Sequence, residues 1–238
     1  MYKIRIFLLL FVSLLVLRPA KAAYTLIPMD ETQTNHLKSY GIAFWVLQND
    51  LEIWWLLNYR GGSFMFKNSP LADKEMNIRG VRYETIAILA EIARPEVNMD
   101  AVKMEKAPKI AVYSPKEKAP WDDAVTLVLT YAEIPYDVIY DDEILEGKLP
   151  LYNWLHLHHE DFTGQYGKFW SAYKNAEWYQ EQVRTQEATA RKWGFSKVSQ
   201  LKLAVSKEIQ KYVSGGGFMF AMCSATDSYD IALSAEGV

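Results

Sequence analysis

The sequence predicts an α/β protein in which an open parallel sheet follows a smaller α/β unit. Three observations carry that prediction. From Lys109 onward, short apolar runs alternate with helix-length segments, so successive strands need crossovers and lie parallel. Residues 23–95 hold strand-like and helix-like segments of their own, and the polar stretch 96–108, without clear periodicity, reads as a linker. Hydrophobic residues make up 50% of the 238 and aromatics 14%, enough for one large core or two smaller ones.

The chain opens on the basic segment Met1-Tyr2-Lys3-Ile4-Arg5, followed by the apolar run Ile6 to Leu17, interrupted only by Ser13. Arg18-Pro19 and the small-residue pattern Ala20-Lys21-Ala22 complete a secretory signal peptide over residues 1–22, cleaved before Ala23. The run is shorter than the roughly 20 residues that a spanning helix needs, so an uncleaved anchor fits less well. The expectation is export to the periplasm or cell envelope, with no integral membrane segment after cleavage.

In the first unit, Tyr24 to Met29 reads as a strand and Thr34 to Gln48 as a helix, by the broadly helical spacing of Leu37, Tyr40, Ile42, Phe44, Trp45 and Leu47. Leu51 to Leu57 is strand-like, Tyr59-Arg60-Gly61-Gly62-Ser63 a tight turn, and Val81 to Ala93 helical up to Pro95. In the second, Lys109 to Tyr113 is a strand of the buried type, followed by a helix from Trp121 to Ala132. Tyr136 to Tyr140 forms the next strand, and Asp141-Asp142-Glu143 caps a short helix ending at Gly147. After the strand Tyr152 to Leu157, a long polar helix spans Phe169 to Trp193 and another Val198 to Val213, stopped by Gly215-Gly216-Gly217. Phe218 to Met222 is the last strand and runs into Cys223.

A net charge of -3 without a basic stripe excludes nucleic acid as an expected partner. Cys223 is the single cysteine, so no internal disulfide is available. Its setting, an apolar strand, Ala221-Met222-Cys223-Ser224-Ala225 and then a helical segment, suits a nucleophile on a sharp strand-to-helix turn. Small residues two positions either side let the backbone reverse, and the helix amino terminus favours negative charge. A buried structural cysteine is the competing reading.

The second constellation is His156-Leu157-His158-His159-Glu160-Asp161, at the carboxyl end of a strand, where open α/β sheets bind ligands. Were the strand to continue, His156, His158 and Glu160 would share one face as half a metal site. No second His/Cys cluster accompanies them, so no metal or other cofactor is assigned. Cys223, His158, His159 and Glu160 are the candidate catalytic residues, with imidazoles and carboxylate orienting a substrate or the thiol. Arg60 with its neighbouring glycines is a weaker candidate, for an anion. Trp54-Trp55 and the aromatics Phe169, Trp170, Tyr173, Trp178 and Tyr179 are candidates for lining a sugar or peptide groove, with core packing as the competing reading.

Four segments together carry a resemblance: Tyr24 to Met29 with His36-Leu37-Lys38, Trp55 to Phe64, Leu155 to Gly167, and Phe220 to Thr226. They resemble a family of exported proteins of Bacteroidota-type bacteria commonly labelled asparagine synthetase B. Its second half is similar to the class I glutamine amidotransferase-like fold, a flavodoxin-like sheet with a cysteine elbow. The resemblance implies such a domain over residues 109–238, with Cys223 as the counterpart of the elbow nucleophile. It also implies His and Glu partners downstream, so the domain is expected to be incomplete at Val238, and in place of the usual glycine pair stands His158-His159-Glu160. The synthetase label itself implies an ATP-binding Ser-Gly-Gly-x-Asp-Ser loop, whereas Ser214-Gly215-Gly216-Gly217 continues into Phe218-Met219. The expected activity is that of a cysteine-dependent hydrolase or amidase acting on a small molecule, peptide or glycan. A non-catalytic envelope binding protein is the alternative.

Overall fold

A computed structural model describes residues 23–86, 100–116 and 123–237. The predicted signal peptide, residues 1–22, lies outside the described residues. The chain divides into two compact units, the boundary falling between Lys106 and Ala107. Among the described residues, no helix is long and apolar enough to cross a membrane.

The first unit is a mixed α/β layer on a five-stranded antiparallel sheet. Its strands are β1 (Tyr24–Ile27), β2 (Ile53–Leu56), β3 (Ser63–Lys67), β4 (Glu84–Ile86) and β5 (Ala101–Met104), in the order β4-β1-β3-β2-β5. Helix α1 (His36–Gln48) begins where the Asn35 side chain accepts the Lys38 N–H, a cap that satisfies an otherwise unpaired amide. Helix α2 (Pro70–Arg79) starts with proline in its first turn and stops at Gly80, whose φ of 68° is left-handed. Leu26, Ile27, Ile42, Val46, Ile53, Phe66 and Met76 are fully buried and form the core of this unit.

Three parts of this unit differ from the sequence expectation. Helix α2 is hidden from hydropathy because only Ala72 and Met76 are buried along it. The expected linker 96–108 contains β5, paired with β2 from Ile53↔Met104 to Leu56↔Ala101. It is an edge strand with no fully buried residue, so it lacks the apolar signature of a core strand. The helix expected over 81–93 begins instead as β4, paired antiparallel to β1, and residues 87–93 lie outside the described residues.

The second unit is built on a four-stranded sheet, all parallel. The strands are β6 (Ile110–Tyr113), β7 (Tyr136–Ile139), β8 (Trp154–Leu157) and β9 (Phe218–Ala221), ordered β7-β6-β8-β9. The helices are α3 (Ala124–Ala132), α4 (Asp141–Leu145), α5 (Gly167–Tyr173), α6 (Glu177–Lys192), α7 (Val198–Ser214) and α8 (Ser224–Ser234). The long polar helix expected over 169–193 is thus two helices, α5 and α6.

Pleating sends alternate side chains to opposite faces. Ala111, Tyr113, Leu155 and Leu157 join one core cluster with Ile144, Ala190, Leu201, Val205, Ile209 and Ala225, from α4, α6, α7 and α8. The other face carries Ile110, Val112, Trp154 and His156, and on the edge strand β9 the exposed Phe218 and Phe220.

Beneath the carboxyl edge of the sheet, Lys202 of α7 is fully buried. Its Nζ lies 2.8 Å from Asp141 Oδ2, 2.9 Å from Tyr113 Oη and 3.0 Å from Tyr140 Oη. Tyr113 donates to Asp141 Oδ1, and Gln186 Nε2 donates to Tyr140 Oη. Burial, then the Asp141 charge, pushes the Tyr113 phenol well above its ordinary pKa. It remains a neutral hydrogen-bond donor.

Candidate functional site

Three strand ends converge at the carboxyl edge of the parallel sheet, the place where such sheets bind ligands. After β6 the chain returns at Asp123, which opens α3; β8 leads into residues 158–166; β9 leads into Cys223 and α8. Neighbouring positions of β6, β8 and β9 in the sheet bring these segments together.

Cys223 occupies the N-cap position of α8 with φ 56° and ψ -141°. A residue with a side chain adopts this region only under strain, of order 1–3 kcal/mol. The expected small neighbours have a visible reason: Ala225 is fully buried under the turn. The cysteine itself is exposed. The Met222 N–H donates to Leu157 O at 3.1 Å, which seats the turn against β8.

The loop after β8 is held by the same helix. Ala225 N–H donates to the His158 carbonyl at 3.3 Å, Ser224 Oγ to the His159 carbonyl at 2.9 Å, and Ser228 Oγ to the Glu160 carbonyl at 2.8 Å. Asp161 shapes the rest of the loop, accepting from Thr163 N–H and Tyr166 N–H. Gly164 then turns at φ +65°, where an added Cβ would stand 2.7 Å from Ser199 N. Gly164→Ala is therefore expected to destabilise the unit by about 2 kcal/mol or more, read as a lower urea midpoint; an unchanged midpoint would contradict this close approach.

The imidazoles do not alternate as an extended strand requires, because β8 ends at Leu157. His156 is still on the strand, buried, stacked on Phe220 at 5.4 Å, and its Nε2 has no hydrogen-bond partner. Burial, and then the nearby His158, lowers its pKa, so it packs as a neutral ring. The suggested face of His156, His158 and Glu160 is not formed.

Instead, His158 and His159 both turn to Asp123. His158 Nδ1 is 3.2 Å from Asp123 Oδ2, His159 Nδ1 is 3.7 Å from the same oxygen, and the two Nδ1 atoms are 3.0 Å apart. Asp123 Oδ1 meanwhile caps α3, accepting from Val125 N–H and Thr126 N–H. Burial raises the Asp123 pKa, but the Thr126 amide and His158 outweigh it, so the carboxyl titrates below its ordinary range. Among the described residues, Asp123, His158 and His159 bring three ligand atoms close enough together to hold a metal.

Asp123 was not among the candidates read from sequence. Its only signal there is its place before a helix that follows a buried strand, which reads as a cap.

Glu160 is buried, with Oε1 3.8 Å from His159 Nε2. It and His159 line a cavity of about 70 Å³ together with Tyr166, Phe169, Trp178 and Gln186. Of the aromatics expected in a groove, Phe169, Trp178 and Tyr179 line this cavity, whereas Trp170 and Tyr173 are exposed and stand outside it. Burial raises the Tyr166 phenol well above its ordinary pKa, leaving a neutral hydroxyl at the wall.

The structure therefore gathers Cys223, His158, His159 and Glu160 on bonded neighbouring segments. Among the described residues, no imidazole hydrogen-bonds the Cys223 thiol. Arg60, the anion candidate of the first unit, already meets Asp30 Oδ2 at 2.6 Å and Glu84 Oε2 at 2.9 Å. No protein-family model, curated protein or solved structure matches the chain.

Proposed function

We propose that the second unit is a cysteine-dependent amidase or hydrolase of the class I amidotransferase-like type, carried by an exported protein. The observation that carries this reading is the backbone of Cys223. A cysteine that only filled space would have no use for a strained φ of 56° at an exposed strand-to-helix turn. The strand order supports it too: β7-β6-β8-β9 follows the first four positions of the flavodoxin-like order.

In this reading the Cys223 sulfur attacks an amide carbonyl. The C–N bond breaks, the thiol proton leaves on the amine, and a thioester remains. Water then cleaves the thioester, releasing the acid and restoring the thiol. The amino end of α8 favours the negative charge that develops on the carbonyl oxygen. His159 and Glu160, on the cavity wall, orient the substrate.

The synthetase label finds no support in the glycine run. Gly215 follows α7, and Gly217 lies where a Cβ would stand 2.2 Å from the Tyr212 ring, so it is required by packing.

The test is iodoacetamide labelling of the folded protein near neutral pH, followed by intact mass. Cys223 is expected to react at least about tenfold faster than a simple model thiol. A rate no faster than the model thiol removes the nucleophile. Cys223→Gly is expected to abolish labelling and raise stability by about 1 kcal/mol as strain is released; a loss of stability would assign the side chain to packing.

A second reading is favoured by the lack of an imidazole on the thiol: a binding protein that keeps the fold without the chemistry. It is distinguished by a slow thiol, with Cys223→Ser retaining ligand binding.

A further inference from the structure

We propose that Asp123, His158 and His159 form a binding site for a divalent cation of the zinc class, with an open position for water or a ligand. This inference does not rest on the chemistry of Cys223.

The geometry is the first argument. Zinc bonds to imidazole nitrogen and carboxylate oxygen are about 2.0–2.2 Å, so ligand atoms at the corners of a tetrahedron stand about 3.3–3.5 Å apart. The three separations here are 3.0, 3.2 and 3.7 Å. One cation placed among them reaches all three atoms at ordinary bond lengths.

The proton count is the second argument. A neutral imidazole carries one N–H, and the other nitrogen is a lone pair. Two Nδ1 atoms and one carboxylate oxygen make three mutual close approaches. Two neutral rings supply at most two protons to them, and none if both rings are protonated at Nε2. A single cation satisfies all three lone pairs at once.

The third argument is that the donors are fixed from outside. Asp123 Oδ1 is held by the α3 amides, which aims Oδ2 at the imidazoles. The backbone carbonyls of His158 and His159 are held by Ala225 N–H and Ser224 Oγ. Behind His159, Nε2 lies 3.8 Å from Glu160 Oε1, near enough for charge attraction but beyond hydrogen-bond distance. Two nitrogens and one oxygen suit zinc or a neighbouring transition metal better than calcium or magnesium, which prefer oxygen alone.

The test uses the full chain, purified without chelator and titrated with Zn2+ against a chromophoric chelator, with Co2+ as a spectroscopic probe. One Zn2+ per chain is expected. Affinity is expected to fall more than about 100-fold in His158→Ala and in Asp123→Asn, a change that keeps the helix cap but removes the charge. His159→Ala provides an independent variant should Asp123→Asn disturb α3. Cys223→Ser and His36→Gln are expected to bind as the parent does, and the Co2+ form to lack a thiolate charge-transfer band.

Sub-stoichiometric binding overturns the site, as does an affinity in His158→Ala and His159→Ala equal to the parent's. A thiolate band on Co2+ overturns this ligand set in favour of one that includes Cys223. A slow thiol with intact zinc binding would sink the nucleophile and leave the metal site standing; the reverse would do the opposite.

Discussion

Lys202→Met is expected to destabilise the second unit by roughly 3–5 kcal/mol, the cost of stranding a buried carboxylate without its cation. Both partners are essentially sealed from water, with side-chain exposures of 1% for Lys202 and 1% for Asp141. Removing the ammonium leaves Asp141 with the Tyr113 hydroxyl and removes a donor from Tyr140. Asp141→Asn is expected to act in the same direction, because a buried ammonium then faces only neutral groups. The double change Lys202→Met with Asp141→Leu is expected to cost much less than the sum of the single changes, since no buried charge remains. Urea midpoints at constant m-value measure all three. A loss of under about 1 kcal/mol in Lys202→Met would mean that water reaches Asp141.

Phe162→Ala is expected to cost about 3–5 kcal/mol, and its effect reaches the site. Phe162 is fully buried, stacked on Tyr113 at 5.0 Å and edge-on to Tyr229 of α8 at 5.7 Å. It anchors the loop that presents His158, His159 and Glu160. Truncation leaves a cavity between that loop and the sheet, lined by two aromatic faces that cannot collapse into it. The measurement is thermal unfolding of Phe162→Ala beside Phe162→Leu, which should lose less than half as much. Equal losses would show that ring stacking, rather than filled volume, holds the loop.

The second unit was more legible in the sequence than the first. Its strands are short, mostly apolar runs flanked by helix-length segments, and burial on both faces of a central strand leaves a continuous apolar run at Ile110 to Tyr113. In the first unit the edge strands β4 and β5 bury little, and α2 presents only two buried residues, so hydropathy alone cannot find them. Helix α2 nonetheless carries its own punctuation in Pro70 and Gly80.

At the site, the turn at Cys223 was readable because steric demands on its neighbours leave a local trace at Ala221 and Ala225. The pairing of Asp123 with His158 and His159 was not, since it spans 35 residues between His158 and Asp123 and arises only when β6 and β8 lie side by side. The histidine face expected from alternation failed because β8 stops at Leu157, which local sequence does not announce. Lys202 is similar: a lysine in a helix reads as solvated, yet it follows Leu201 and precedes Val205 on the inward stripe of α7.

The three loop carbonyls fastened to α8 also bear on how the molecule opens. A loop on a sheet edge ordinarily exchanges its amide hydrogens by small local fluctuations. Here the acceptors of residues 158–160 belong to the loop and their donors to α8, while Met222 closes the same seam from Leu157. Neither segment can swing outward without breaking bonds made by the other. The cysteine turn and the histidine loop are thus expected to open as one cooperative element, and a ligand that steadies either one to slow exchange in both.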